Sequence, residues 1–546
     1  MNLVKILDEQ AIMQPDRIAL RDVLGNTNRA LTYRSLQRLT ERAAEKLLDS
    51  GIKKGDRVLL AVSMRIETYV LLLALFRIGA AVVIIDPSGG LKLLKRSLEL
   101  VKPDAMISTA RIQLLTGFIS EVRDIRVKVL ADQIVTRIGK ATANNAKNLA
   151  RGLTAAIEEV EPEHPALITF TSGSTGMPKA IVRTHGFLLN QHKIIASSLP
   201  GRKSDIELTT LPVFVLSALA QGITSVLPDC DMRKPATIDA RKILRQIRAC
   251  GVNRIIASPA FLQRLVEHLD ESHTKVREIS QVLTGGGPVF PSLLKKMEEI
   301  FPSAELTAVY GSTEAEPIAH ISSHEMSRDD IRKSFQGNGL LAGRPIDEIE
   351  LAIVNPDELN AFSKGLCKKF NRLPAYVTGE IVVRGKHVVK TYLNGIGDAE
   401  TKVSAVKHQN PSKIWHRTGD AGYLDAEGRL WLMGRCAVKI SDDRGELYPF
   451  QVEVAASEMP AVRRATCLKF GAKRVLVIEK KQISVVERIR NVLRRAKPFK
   501  DSIRDSFAWL RFDEIKCVDS IPVDERHNSK IQYARLQQRL QQALTH

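Results

Sequence analysis

The chain has 546 residues and a formal net charge of +20, with 81 Lys and Arg against 61 Asp and Glu. Its 44% hydrophobic and 26% charged side chains are ordinary for a globular protein and exclude the disordered, collagen-like and coiled-coil classes. The length exceeds what one core usually serves, so two or more domains are expected. The six cysteines contain no CxxC pair, which argues against a zinc ribbon or disulfide scaffold and indicates a reducing cytoplasm.

One stretch, residues 69–85, has the apolar content of a membrane span. Arg77 and Gly79 interrupt it and leave apolar runs too short to cross a bilayer. We therefore expect a buried helix up to about Arg77, followed by a buried strand over 80–85. No apolar signal core follows Met1, which also favours a cytoplasmic location.

The basic charge could attract nucleic acid, anionic lipid or phosphorylated ligands. Aromatic residues make up only 5% of the chain, too few to suggest stacking platforms for single strands. No helix-turn-helix, zinc-finger or RRM signature is present, so no nucleic-acid partner is expected. We interpret the charge as a solvated basic surface, and peripheral contact with an anionic membrane stays open.

In chain order, apolar spacing predicts helices that alternate with strands. This alternation is typical of parallel sheets joined by crossover helices. The strand over 166–170 is expected to lead through a Ser/Thr/Gly loop towards a helix at about Gly186. The predicted elements are helices over 36–50, 69–77, 241–249, 261–269 and 291–300, strands over 57–62, 80–85, 166–170, 254–257, 281–284 and 305–309, and further short elements over 97–101, 105–108 and 127–130.

Beyond Gly343 the pattern changes to short strands between turns. Strands over 349–354, 379–384, 422–424 and 430–433 predict a small β-rich subdomain that ends at Gly434-Arg435. Mixed short strands and a basic helix over 483–495 follow. We place the domain boundary near Arg435, which gives domains 1–435 and 436–546.

The sharpest motif is a Ser/Thr/Gly loop that follows the strand over 166–170. Glycines let backbone amides approach an anion, hydroxyls add donors, and a lysine adds charge, which together suit a triphosphate. The loop lacks the Gly-Lys-Ser/Thr ending of a Walker A motif. Its candidate phosphate-binding residues are Thr171, Ser172, Gly173, Ser174, Thr175, Gly176 and Lys179.

A second motif, Tyr310-Gly311-Ser312-Thr313-Glu314, places a hydroxyl beside a carboxylate at the end of a strand. A carboxylate next to bound phosphate suits Mg²⁺, which takes one or two carboxylates plus phosphate oxygens, so Glu314 is the candidate metal ligand. A helix N-cap is the bland interpretation of the same residues. Upstream, Gly286 and Gly287 would leave room for a flat base, although they could equally form a turn.

Two further candidates lie towards the C-terminus. Asp420, between small residues, can accept hydrogen bonds from ribose hydroxyls, and Arg435 can reach the same sugar or a phosphate. Lys530 lies in a turn-rich segment where a lysine is normally a solvated surface charge.

Together these motifs resemble the adenylate-forming superfamily of acyl-CoA synthetases, peptide-synthetase adenylation domains and luciferases. The resemblance implies an α/β fold with a large N-terminal domain of two doubly wound sheets plus a small β-barrel subdomain, and a smaller mobile α+β C-terminal lid. It implies that the Ser/Thr/Gly loop holds ATP phosphates, that 310–314 binds AMP and magnesium with Thr313 and Glu314 catalytic, that Asp420 holds ribose and that Lys530 drives adenylation. ATP, Mg²⁺ and a small carboxylic acid are the expected cofactors and substrate.

Three departures from the commonest family pattern resemble the β-lactone synthetases of bacterial long-chain olefin biosynthesis. Val215 stands where most acyl-CoA synthetases have histidine, the hinge after Gly434-Arg435 lacks a nearby acidic residue, and Lys530 follows His527-Asn528-Ser529 and not Ser-Gly. In that branch a 3-hydroxyl attacks its own acyl-adenylate and releases AMP. A fatty acid–CoA ligase, with CoA as acceptor, and a non-catalytic basic binding protein on the same scaffold stay as alternatives.

Overall fold

The protein is built on two large sheets with helices packed on their faces, followed by a three-stranded sheet in the C-terminal part of the chain. The structure is a computed structural model. It describes residues 1–25, 27–86, 89–135, 155–172, 178–364, 369–403, 414–459, 461–481, 499–524 and 530–542. The basic helix predicted over 483–495 lies outside these residues.

The strands are numbered in chain order. They are β1 Ile18–Leu24, β2 Thr27–Thr32, β3 Arg57–Ala61, β4 Ala81–Ile84, β5 Ala105–Ser108, β6 Val127–Leu130, β7 Pro165–Ser172, β8 Pro178–Thr184, β9 Ile206–Thr209, β10 Thr224–Val226, β11 Arg254–Ala257, β12 Gln281–Gly285, β13 Glu305–Ser312, β14 Ala315–Ser322, β15 Leu340–Pro345, β16 Ile349–Val354, β17 Gly379–Gly385, β18 Lys402–Val403, β19 Trp415–Leu424, β20 Leu430–Arg435, β21 Ile440–Asp442, β22 Gly445–Leu447, β23 Val462–Phe470, β24 Lys473–Lys480 and β25 Glu514–Val518.

The α-helices of the described residues are numbered in the same way. They are α1 Lys5–Met13, α2 Tyr33–Asp49, α3 Ile66–Arg77, α4 Gly90–Val101, α5 Ala110–Thr116, α6 Ser120–Arg123, α7 Ala131–Ile134, α8 His185–Ser198, α9 Pro212–Gln221, α10 Ala240–Cys250, α11 Pro259–Glu271, α12 Pro291–Ile300, α13 Arg328–Lys333, α14 Pro356–Ser363, α15 Asp398–Thr401, α16 Pro449–Ala456, α17 Phe499–Ser506 and α18 Tyr533–Gln542.

The first sheet has the order β6-β5-β3-β4-β7-β8 and is parallel except for its last strand. The sequence predicts that the loop after β7 leads towards a helix at about Gly186, and that helix is present as α8, but the strand before it was not predicted. The antiparallel strand β8 lies between them, and α8 begins at His185, where the Thr184 side chain accepts a hydrogen bond from the Phe187 amide at 3.1 Å. The antiparallel pairing of β7 with β8 places Lys179 directly opposite Thr171.

The second sheet has a parallel centre, β1-β10-β9-β11-β12-β13, flanked by the antiparallel strand β2 on one side and by the antiparallel strand β14 on the other. Its α/β architecture agrees with the fold implied by the motifs. The strands expected to form a small barrel instead extend this sheet in the order β14-β15-β20-β19-β17-β16. No pair among the described strands closes that ladder, because β15 pairs with β20 at its start and with β14 at its end.

The helix α3 is buried along almost its whole length between the first sheet and the β1-β2 edge of the second. Its apolar residues thus serve a protein core, as the interruption by Arg77 predicts. The Arg77 guanidinium is held by Asp8 at 3.1 Å and Glu41 at 3.2 Å. Among the helices of the described part of the chain, none is long and apolar enough to cross a membrane.

The C-terminal part contains the β21-β22 hairpin, α16, the sheet β23-β24-β25 and the helices α17 and α18. It contacts the large sheets through α16. The Gln451 amide donates to the Gly337 carbonyl, and the Trp509 ring lies against the Cα of Gly337. The domain boundary at Arg435 and the mobility of this part stay predictions.

Candidate active site

The turn between β13 and β14 consists of Thr313 and Glu314, so the second motif is a hairpin and not a helix cap. Its backbone is held from two sides. Arg183 Nη2 donates to the Thr313 carbonyl at 2.7 Å, and the Val389 amide donates to the Glu314 carbonyl at 2.8 Å. The Glu314 side chain consequently projects from a fixed turn.

The Glu314 carboxylate joins the two large sheets. Its Oε1 accepts hydrogen bonds from the Tyr392 hydroxyl at 2.9 Å and from Thr171 Oγ1 at 3.4 Å. Its Oε2 accepts no hydrogen bond from any residue that the structure describes. A carboxylate with one oxygen held and the other available fits Mg²⁺ bound partly by phosphate oxygens. In the described residues no group of three or more His, Cys, Asp or Glu residues lies together.

Lys179 lies on β8 with its side chain largely buried. Its Nζ is 2.7 Å from Glu400 Oε2 and 5.7 Å from the centre of the Tyr392 ring. Its methylenes pass over Gly397, where an added Cβ would lie 2.7 Å from Lys179 Cδ. Since the Glu400 side chain is half exposed, it can leave the ammonium when a phosphate takes its place.

Asp420 and Arg435 are paired directly across β19 and β20. Asp420 Oδ1 is 3.2 Å from Arg435 Nε, and Oδ2 accepts a 2.8 Å hydrogen bond from the Tyr310 hydroxyl. Burial, together with Asp420, raises the pKa of Tyr310 well above its usual range. Tyr310 therefore stays a neutral donor that orients the carboxylate, and Thr418 Oγ1 accepts from the Asp420 amide at 3.0 Å.

Lys402 and His416 form a buried pair next to Tyr392. Lys402 Nζ lies 3.2 Å from His416 Nδ1 and 5.0 Å from the centre of the Tyr392 ring. Burial lowers the pKa of Lys402 to about 8, with Glu314 acting in the opposite direction. Burial and the Lys402 charge lower the pKa of His416 well below its usual range, so its ring is neutral and accepts from Lys402.

The structure places the other predicted residues as follows. Gly173, Ser174, Thr175 and Gly176 lie outside the described residues, as does the side chain of Ser172 at the end of β7. Gly286, with φ at +80°, and Gly287 follow β12, and Gly286 is exposed with open space beside its Cα. Gly311 and Ser312 end β13, and Gly311 packs against the Ala315 carbonyl, which lies 3.0 Å from an added Cβ.

Lys530 lies in the C-terminal part and is exposed. Its amide donates to Asp524 Oδ1 at 2.9 Å, and its carbonyl accepts from the Asp524 amide at 3.0 Å. These bonds tie the backbone of Lys530 to Asp524. The role of Lys530 in adenylation stays a prediction.

Sequence reasoning missed four residues that contact the predicted ones, namely Arg183, Tyr392, Glu400 and Lys402. They carry no local signature, since each lies within ordinary strand, turn or helix sequence. His416 and Thr418 lie within four residues of Asp420 in the chain, yet the sequence analysis assigned neither a role.

Phe214 and Val215, neighbours on α9, are both buried but belong to different apolar clusters. Phe214 packs with Ile195 and Leu283, whereas Val215 faces the cluster of α3 and Leu219. A separate cavity lies between α1, α3, α8 and α9, and its walls include Leu7, Leu73, Leu188, Ile195, Val213 and Leu216. The apolar character of this region agrees with a hydrophobic substrate.

The family model described as AMP-binding enzyme matches residues 7–393. The chain belongs to this family. It is therefore an ATP-using, adenylate-forming enzyme that acts on a small molecule, and the alternative of a non-catalytic binding protein is set aside.

Two relatives align with nearly the whole length of this AMP-binding enzyme. Both are olefin β-lactone synthetases, from Xanthomonas campestris pv. campestris (29% identical, 97% of this chain and 96% of the relative) and from Stenotrophomonas maltophilia (30% identical, 97% and 96%). The structure of O-succinylbenzoate coenzyme A synthetase from Bacillus subtilis, in complex with ATP and magnesium, has the same fold, with a TM-score of 0.71 at 23% identity over 97% of this chain and 99% of that one.

Proposed function

We propose that this enzyme activates a long-chain 3-hydroxy acid as its acyl-adenylate and then closes a β-lactone without CoA. The observation that carries this choice of acceptor is the end-to-end similarity to two olefin β-lactone synthetases. The apolar helices around Phe214 and Leu216 support a long aliphatic chain on the substrate.

The reaction has two displacement steps. A carboxylate oxygen of the acid attacks the α-phosphorus of ATP, and the bond to the bridging oxygen breaks with release of pyrophosphate. The 3-hydroxyl oxygen then attacks the acyl carbon, its proton passes to water, and the bond between the acyl carbon and the phosphate oxygen breaks with release of AMP. An internal nucleophile needs no second docking site, since well-oriented groups reach effective molarities of about 10⁵ M or more.

The described residues support distinct roles in this reaction. Lys179 would exchange Glu400 for the terminal phosphates, and Asp420, oriented by Tyr310 and Arg435, would accept hydrogen bonds from the ribose. Glu314 Oε2 would hold Mg²⁺, which neutralises charge on the phosphates. Lys530 would approach the α-phosphate after a movement of the C-terminal part.

Two local features support an acceptor other than CoA. Val215 is fully buried among apolar side chains, so no polar group borders the acyl route at that position. In the hinge, Lys439 binds Glu446 of the β21-β22 hairpin at 2.5 Å. The segment that follows Arg435 is therefore tied within the C-terminal part, where the family commonly has an acidic hinge residue.

The test is mass spectrometry of the products from a long-chain 3-hydroxy acid and from the plain fatty acid, each with ATP and Mg²⁺, with and without CoA. We expect AMP, pyrophosphate and a product that is the 3-hydroxy acid less one water, whether or not CoA is present. Acyl-CoA formed from the plain fatty acid, with the 3-hydroxy acid left unlactonised, would establish the CoA ligase alternative.

The enzyme would act in the cytoplasm. We propose that it also associates peripherally with anionic membranes. A long-chain acid partitions into lipid, so an enzyme at the bilayer surface meets a higher substrate concentration. The +20 charge favours such a surface.

A further inference from the structure

Three large apolar side chains project into solvent from α5 and the turn after it. Leu114, Leu115 and Phe118 are 76%, 67% and 97% exposed. We call these three residues the apolar tip. Single exposed apolar residues are ordinary, but three within five positions form a patch that calls for a binding partner.

Hydrogen bonds and packing fix the backbone on both sides of the apolar tip. Thr109 Oγ1 accepts from the Ile112 amide at 3.4 Å at the start of α5, and Thr116 Oγ1 donates to the Ile112 carbonyl at 2.8 Å. Ile112 packs partly into the cluster beneath, and Ile119 is buried in it. Because Ile112 and Ile119 anchor the backbone on both sides of the tip, its side chains cannot turn inward to pack in the core.

The stretch of chain that carries the tip is basic. Residues 90–128 contain eight Lys or Arg against four Asp or Glu. Lys92, Arg111, Arg123 and Lys128 are exposed, and α4 packs beside α6, which follows the tip. An apolar projection on a basic stretch of the chain matches an anionic lipid surface, where apolar groups enter the acyl boundary and basic groups meet the headgroups.

We infer that the apolar tip inserts into an anionic bilayer and is the site of the membrane contact proposed above, on which this inference rests. Three side chains on a short helix are small for a stable protein interface, which usually buries about 800 Å² on each partner. They suffice for reversible lipid contact supported by charge.

The experiment is co-sedimentation of the purified full chain with vesicles of phosphatidylcholine alone or of phosphatidylcholine mixed with phosphatidylglycerol. The test variant is Leu114→Ser/Leu115→Ser/Phe118→Ser. The matched control is Ile12→Ser/Met13→Ser at the end of α1, because those side chains are also exposed, at 78% and 60%. We expect the unaltered chain to prefer the anionic vesicles, the test variant to lose about tenfold or more in partitioning, and the control to bind as the unaltered chain does.

Arg111→Gln/Lys92→Gln should weaken binding to the anionic vesicles and reduce its dependence on salt. Pyrophosphate release with a short, water-soluble acid should be equal in all variants, so that a loss of lipid binding is separated from failed folding or failed adenylation. Equal binding by the test variant and the unaltered chain, or no preference for anionic vesicles, would overturn the inference. A change in oligomeric state confined to the test variant would overturn it too, since the tip would then contact a second copy of the chain.

Discussion

Glu314 takes its position from contacts made by three distant stretches of chain. Thr171 comes from β7, Tyr392 from the segment before α15, and Val389 binds the turn backbone. All of them hold one carboxylate oxygen or the backbone of its turn and leave the other oxygen for a cation. At the scale of a single residue, we therefore predict that catalysis depends on the charge of Glu314 more than on its hydrogen bonds.

Glu314→Gln separates the two contributions. The amide oxygen can still accept from Tyr392, but the charge that would hold Mg²⁺ is lost. We expect acid-dependent pyrophosphate release to fall by about 10²–10³, with little change in the melting temperature. Glu305→Gln, an exposed change at the start of the same strand, is the matched control. Activity within about twofold of the unaltered enzyme would exclude Glu314 as the metal ligand.

Lys530→Ala and Lys179→Ala should fail in different ways. Lys530 lies in the C-terminal part, so its loss should lower the rate of acyl-adenylate formation by a factor of about 10²–10³. ATP binding should be kept. Lys179 lies beside the phosphate loop, so its loss should weaken ATP binding itself. Pyrophosphate exchange and ATP titration distinguish the two. Lys473→Ala, an exposed lysine of the C-terminal part, controls for charge, and a Lys530→Ala enzyme as active as this control would return Lys530 to the solvated surface.

The helix α16 links the two parts of the molecule. On one side, Gln451 donates to the Gly337 carbonyl. On the other, the buried Glu453 accepts a hydrogen bond from Tyr533 of α18, three residues after Lys530. A substitution in α16 should therefore affect the contact with the large sheets and the packing of the segment that carries Lys530.

Glu453→Gln should stabilise the protein, and more so as the pH rises. Burial raises the pKa of Glu453 to about 8, against an unfolded value near 4.3. The folded chain thus keeps a proton that the unfolded chain releases, and stability falls as the pH rises between those values. Glutamine has no proton to lose and can still accept from Tyr533. Thermal unfolding at about pH 5, 6.5 and 8 should show a widening difference, and a difference independent of pH would contradict the prediction.

Gly337→Ala should loosen the contact between the two parts. The added Cβ would lie 2.7 Å from the Trp509 ring, and φ of +84° is unfavourable for alanine. Gly55→Ala is the matched control, because it has φ of +85° with nothing within 4 Å. We expect Gly337→Ala to cost more stability than Gly55→Ala and the excess to vanish in a Trp509→Ala background. An excess that survives without Trp509 would show that the ring is not its cause.

At the scale of the whole molecule, the site lies where the two large sheets meet. Lys179 and Thr171 come from the edge of the first sheet, while Glu314, Asp420 and Arg435 come from antiparallel strands of the second. A nucleotide bound to both sets of residues would tie the sheets together and stabilise the whole large part.

ATP with Mg²⁺ should therefore raise the melting temperature, by an amount that corresponds to about 2.7 kcal/mol at a concentration of 100 Kd. Removal of Mg²⁺ with EDTA should reduce the shift, because Glu314 and the phosphates would then repel one another. Differential scanning fluorimetry measures both effects, with Lys179→Ala giving a smaller shift. A shift unaffected by EDTA would argue against magnesium at Glu314.

The sequence by itself determined the elements that are locally complete and the order of the motifs. Strands over 254–257 and 349–354 and the helix over 291–300 agree with the structure residue by residue, because each is an apolar pattern bounded by polar or turn residues. The motifs identified the family correctly, because their chemistry is carried by neighbouring residues. The strand β8 escaped notice because Pro178, Lys179 and Arg183 interrupt its apolar alternation.

Tertiary structure decided everything that depends on which strands become neighbours. The contacts of Glu314 with Thr171 and Tyr392 join residues 143 and 78 positions apart, and no local pattern encodes such a distance. The same holds for the strands that extend the second sheet, since β15 pairs with both β14 and β20, which are far apart in the chain. Exposure of Phe118 is a property of the packed surface, because a run of apolar residues becomes core or projection according to the elements that cover it.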